Sequence, residues 1–153
     1  MGLARCIAAR LGRLHNWNCR LSDSSGQTMS SSSIGLYGEM VAESRLRAGK
    51  CSILRKNWKI GSAGELDVVC RDGDTLVFVE VKTRTSHSVW EAMRSVDKKK
   101  RELIRSGAHA WLRLLNDRDV PYRYDVMEIY LCEGEKPEIH WIRAAFGDCD
   151  SNV

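Results

Sequence analysis

The chain has 153 residues, enough for one domain with a real core. Its hydrophobic share of 43% is that of a globular protein, and no apolar stretch approaches the roughly 20 residues that a membrane helix needs. The net charge of +4, from 24 basic and 20 acidic side chains, is compatible with a nucleic-acid partner without establishing one.

Residues 1–33 differ from the rest. Arg5, Arg10, Arg13 and Arg20 stand against one acid, Asp23, and a serine-rich run follows from Ser22 to Ser33. Three readings stay open: a disordered or weakly helical extension, an organellar transit peptide by composition, or an over-extended start with Met29 nearer the true beginning. The expected domain covers residues 34–146, with 147–153 as a frayed tail.

Ile34 to Ala48 reads as a helix with Gly49 as its C′ residue. Tyr37, Val41, Ser44 and Ala48 lie near one face, and Glu39 and Glu43 lie four apart on another. Cys51 to Trp58 reads as an edge strand, where Arg55 and Lys56 face solvent or phosphate. Two apolar runs follow, Gly64 to Cys70 and Leu76 to Lys82, joined at Asp72-Gly73. That dipeptide signals a hairpin with a type I′ turn, which needs positive φ at both central residues. Thr83 to Trp90 reads as a polar loop, whose Arg84 could contact a phosphate or remain solvated.

Val96 to Asn116 is the longest predicted helix, with Ser95 or Asp97 as its cap. Ile104, Ala108, Trp111, Leu112 and Leu115 form its buried stripe. Lys98, Lys99, Lys100 and Arg101 crowd its first turns, where the helix dipole disfavours cations; an anionic partner would relieve that, and a solvated basic face is the plain alternative. Tyr122 to Cys132 and Glu138 to Trp141 read as strands, with Arg123 and Asp125 on one face, able to pair with each other. The cysteines at 6, 19, 51, 70, 132 and 149 form no C-x-x-C, and the four histidines add no ligand spacing. Reduced thiols in a cytoplasmic protein are expected, and a zinc site is disfavoured.

The chemistry concentrates in the hairpin. Asp67, Glu80 and Lys82 interrupt runs that are otherwise apolar, and charges there are excluded unless they are paired or hold a metal. With Asp72-Gly73 at the turn, Asp67 faces Phe78, and Glu80 is its diagonal neighbour. Phe78, Glu80 and Lys82 then share one face with Asp67, while Leu66, Val68, Cys70, Val77, Val79 and Val81 share the other. A loop longer by two would set Asp67 opposite Glu80 on the same face; a bulge would separate the groups. Two converging carboxylates suit a hard cation such as Mg²⁺ or Mn²⁺. A structural ion-pair cluster is the plain alternative.

These residues carry a resemblance. Asp67, twelve intervening residues and Glu80-Val81-Lys82 resemble the core of the PD-(D/E)xK nucleases, with Leu66 in place of the superfamily's proline. Gly35 to Ala42, Gly64 to Val69, Leu76 to Arg84 and Arg123 to Val126, in that order, resemble the YraN family of predicted endonucleases similar to Holliday-junction resolvases. The resemblance implies an α/β fold with a restriction-endonuclease-like core, a mixed central sheet flanked by helices. It implies Asp67, Glu80 and Glu39 as metal ligands, Lys82 as a catalytic lysine, and Lys100 as the family's helix lysine. It further implies cleavage of structured or branched DNA, and a homodimer. A nucleic-acid-binding module without cleavage is the rival expectation. The expected backbone contacts are Arg84, Lys98, Lys99, Lys100, Arg55 and Lys56.

Overall fold

The computed structural model describes residues 18–61, 64–85, 96–115 and 119–149. In chain order they form α1 (Ser31–Ala48), β1 (Ser52–Ile60), β2 (Gly64–Asp72), β3 (Thr75–Arg84), α2 (Lys98–Leu115), β4 (Tyr122–Tyr130) and β5 (Glu138–Phe146). The strands make one five-stranded sheet in sequence order. β3 and β4 run parallel across the α2 connection, and the other neighbours are antiparallel. The fold is therefore α/β with a mixed sheet between helices, compatible with a restriction-endonuclease-like core.

The serine run starts the first helix. Ser30 Oγ accepts from Ser33 N–H at 3.3 Å, so Ser30 is the N-cap and Ser31 to Ser33 are the first turn. The expected boundary at residue 33 thus falls inside α1. Upstream, Asp23 closes a turn by accepting from Ser25 N–H and Gln27 N–H. Cys19 and Leu21 are buried beside α1, and Leu21 N–H donates to Glu133 Oε2 at 2.6 Å. Cys19 and Leu21 thus anchor the segment before α1 to the domain; residues 1–17 lie outside the described residues. At the other end of α1, Gly49 has φ −78°, and Lys50 takes the left-handed conformation at φ 66°. Glycine at 49 answers a packing constraint: a Cβ there would sit 2.9 Å from the Trp141 ring.

Alternation divides the core between the two faces of the sheet. Val68, Cys70, Val77, Val79, Met127 and Ile129 pack under α1 against Tyr37, Val41, Ala42 and Leu46. Leu66, Val69, Phe78, Tyr124 and Val126 pack under α2 against Ile104 and Ala108. Two glycines let the helices approach closely. A Cβ on Gly38 would collide with the Thr83 side chain, and one on Gly64 would lie 2.5 Å from Gly107 N. Strand and tail limits also differ from expectation. β3 extends through Thr83 and Arg84, which the polar composition suggested as loop, and β5 runs on to Phe146. Asp148 is held by His109 Nε2 at 3.0 Å and by the hydroxyls of Tyr122 and Tyr124, so the segment after β5 is tied down where described. The described cysteines, Cys19, Cys51, Cys70, Cys132 and Cys149, are free thiols.

Candidate active site

The hairpin pairs Asp72 with Thr75 and Arg71 with Leu76, so Gly73-Asp74 forms the turn, one residue later than Asp72-Gly73. Of the two turn residues only Gly73 has positive φ, at 60°, which is the pattern of a turn with glycine first. Phe78 accordingly faces Val69, and the ladder's last pair is Val68 with Val79. Prolonging that register by one residue sets Asp67 opposite Glu80. At that point Asp67 leaves the ladder: its Oδ2 accepts from Val81 N–H at 2.8 Å.

Alternation breaks at the same residue. Leu66 packs under α2 while Val68 packs under α1, so the expectation that they share a face is corrected. On β1, between the registered pairs Lys56–Val68 and Trp58–Leu66, Asn57 is left-handed at φ 49°. Asparagine tolerates that conformation better than most residues. The local twist turns the Asp67 carboxylate toward β3 rather than parting it from Glu80.

Glu80 is 2% exposed and has a lysine at each oxygen. Lys82 Nζ lies 2.9 Å from Oε1, and Lys100 Nζ reaches from the first turn of α2 to within 3.2 Å of Oε2. The second contact is an ion pair without hydrogen-bond geometry, so buried Oε2 lacks a true donor. The local sequence positions Lys100: Asp97 Oδ1 caps α2 by accepting from Lys100 N–H at 2.7 Å, which fixes the backbone from which the side chain crosses to Glu80. Burial, and then the Glu80 charge, push the Asp67 carboxyl up to about 7. Burial works against the Lys100 charge, but Glu80 and Asp67 outweigh it and raise that ammonium group above the usual lysine range. Asp67, Glu80, Lys82 and Lys100 thus form one electrostatic unit under the N-terminus of α2.

Other expected residues lie elsewhere. Glu39, on α1 across the sheet, accepts from Asn57 Nδ2 at 3.2 Å, so it meets the site through the residue beside Asp67. Glu43 takes Arg47 at 2.8 Å and Lys56 at 2.6 Å; Lys56 is thereby engaged, while Arg55 is exposed. Lys98 and Lys99 are exposed, in contrast to Lys100. Arg84 Nη2 stands 4.0 Å from Glu128 Oε1. Glu128 was missed in the sequence. It is 3% exposed, pairs in register with Lys82, and its Oε1 has no hydrogen bond. The signal was the one that marked Asp67, a charge inside an apolar strand. Arg123 and Asp125 do pair, at 2.9 Å, and Asp125 also accepts from Trp141 Nε1 and Ala144 N–H, which makes it a structural anchor between β4 and β5.

The donor set suits a hard cation at Asp67 and Glu80, since both offer carboxylate oxygens and Glu80 Oε2 is short of a donor. Among the described residues, no three His, Cys, Asp or Glu side chains come together as a ligand group. Such an ion would take most of its remaining ligands from water and phosphate.

The fold and this cluster define an α/β protein with a carboxylate–lysine site on a mixed sheet. The chain belongs to the uncharacterised protein family UPF0102, the YraN-like proteins, whose profile matches residues 38–129, from Gly38 in α1 into β4. It is 38% identical over 114 residues to a UPF0102 protein of Geotalea uraniireducens, covering 74% of this chain and 89% of that one. A relative in Geobacter metallireducens is 39% identical over 114 residues, covering 74% and 92%. One in Streptomyces coelicolor is 41% identical over 80 residues, covering 52% and 62%. Among the described residues no helix is long and apolar enough to cross a membrane.

Proposed function

We propose that this protein is a metal-dependent endonuclease that hydrolyses phosphodiester bonds of structured DNA, branched duplexes included. One observation carries the reading: Glu80, nearly fully buried, lies beside Asp67 and is contacted by Lys82. A purely structural strand gains little from a buried carboxylate pair in that position, because charges taken out of water are at best repaid by their ion-pair partners. Binding DNA without cleaving it would need the exposed bases alone, not a buried carboxylate pair.

Asp67 and Glu80 would hold Mg²⁺ or Mn²⁺. The ion, when bound, supplies Lewis acidity toward the phosphoryl group and a water of lowered pKa. Lys82, a third exposed at the side chain, is placed to orient the attacking water and to offset charge developing on the phosphate. Val81 N–H fixes one Asp67 oxygen and leaves the other for the site. Glu39 acts at one remove, by orienting Asn57. Arg84, Lys98, Lys99 and Arg55 would contact the backbone, and a homodimer would present two such sites to a symmetric junction.

The test is a panel of labelled four-way junctions, flaps, duplexes and single strands incubated with Mg²⁺ or Mn²⁺. Cleavage by the wild type, abolished in Lys82→Ala with DNA affinity held within a few fold, is the expected result. A Lys82→Ala variant that cuts at the wild-type rate would remove Lys82 from the chemistry.

A further inference from the structure

We propose that Lys100 is the resident counter-cation of the carboxylate pair, that a divalent ion must displace it from Glu80, and that the freed ammonium group then binds the DNA phosphate. The proposal rests on the metal-dependent reading above and adds to it an exchange of partners within the site.

Charge and geometry carry it. Glu80 is 2% exposed, and a carboxylate removed from water that far needs a cation beside it to stay ionised. Lys82 already serves Oε1 at 2.9 Å. Lys100 supplies a second positive charge to Oε2 at 3.2 Å, an oxygen that receives no properly aligned hydrogen bond. In the doubly ionised state that can hold a cation, Asp67 and Glu80 are balanced by Lys82 and Lys100. A divalent ion between the two acids adds a double positive charge within a few ångströms of two ammonium groups, and one of them must yield.

Lys82 and Lys100 differ in their freedom to do so. Lys82 shares its strand with Glu80 and is tied to it two residues away. Lys100 comes from another element, at the end of a long side chain that is a quarter exposed, with its backbone held by the Asp97 cap. It can leave Glu80 by rotamer change alone, without moving α2. A phosphate brought to the site provides its alternative partner, so metal and DNA each favour the state the other requires. Metal alone is then bound weakly, and metal with DNA tightly.

The experiment is Mn²⁺ binding by calorimetry to the full chain, for wild type, Lys100→Met and Lys100→Arg, each with and without duplex DNA in Ca²⁺-free buffer. Thermal unfolding of each variant accompanies it. Removing one positive charge beside the ion site should tighten Mn²⁺ binding by about tenfold in Lys100→Met without DNA, an effect of the size that partly screened charges produce at this separation. Lys100→Arg should stay near the wild type. DNA should tighten Mn²⁺ binding in the wild type and do so less in Lys100→Met. Mn²⁺ affinity that is unchanged or weaker in a folded Lys100→Met protein overturns the exchange while leaving the metal site standing. Absence of Mn²⁺ binding in every variant overturns the metal-dependent reading itself, and the exchange with it.

Discussion

Replacing Asp67 by asparagine should change how stability depends on pH, and in a direction opposite to that of an ordinary surface acid. In the folded chain, burial and then the Glu80 charge raise the Asp67 carboxyl from 3.8 to about 7. The unfolded chain releases that proton near its ordinary value. Between those limits the native state holds more protons than the unfolded state, so stability falls as pH rises. The contribution is complete below about pH 4 and is lost as pH climbs through about 7. At 1.36 kcal/mol per unit, the full difference is about 4 kcal/mol, a large part of the stability of a domain of this size. The asparagine side chain would keep an oxygen for Val81 N–H and could not ionise. Denaturant unfolding of wild type and Asp67→Asn, measured from about pH 4.5 to 8 so as to span the titration, should therefore show the wild type losing stability relative to the variant, with the variant the more stable at the alkaline end. The comparison cancels the depressed carboxylates, Glu43, Asp72 and Asp148, which are common to both proteins. Parallel profiles over that range would show that Asp67 is neither as buried nor as close to Glu80 as the structure places it.

Replacing Lys98 and Lys99 by Gln should weaken DNA binding across all sequences and flatten its salt dependence by about one to two units of slope, while leaving the fold intact; parallel slopes would move the DNA path to Arg55 and Arg84. Asp125→Ala strips partners from Arg123, Trp141 Nε1 and Ala144 N–H together and should cost about 3–5 kcal/mol, read by denaturant unfolding. Gly64→Ala places a methyl group against the Gly107 backbone, 2.5 Å from its nitrogen, and should destabilise by about 1–3 kcal/mol. Because α2 must shift to admit it, the Lys100–Glu80 contact should loosen too, visible as altered lysine side-chain resonances.

Local rules made much of this protein legible in one dimension. Period-two alternation marked β2 and β3, and period-three-to-four spacing marked α2, because side-chain direction follows backbone geometry residue by residue. Asp67, Glu80 and Lys82 stood out for a related reason: charge inside an apolar strand is conspicuous whatever the partner. The turn was harder. Asp72-Gly73 and Gly73-Asp74 both place a glycine at the corner, and the choice moved the register so that the ladder, prolonged past Val68–Val79, sets Asp67 opposite Glu80 rather than Phe78. The serines from 30 to 33 look like linker by composition, yet the same short hydroxyl that favours a loop also caps a helix.

What the sequence determined by itself was the element order and the carboxylate–lysine strand pair. Only the tertiary structure decided which distant groups complete the site. Composition treats Lys98, Lys99 and Lys100 alike and only the resemblance singled out Lys100, but helix phase turns Lys100 alone onto Glu80 and leaves the other two in solvent. Glu39 and Asp67 are both ligands expected from the resemblance, but α1 and α2 cover opposite faces of the sheet, so Glu39 meets Asn57 instead of the buried pair. Glu128 gains its place beside Lys82 from a parallel pairing across the whole α2 connection, which no local signal encodes. Contacts of that kind are set by how helices and strands stack, through glycines at 38, 64 and 107 that let them close, and those distances exist only once the chain has folded.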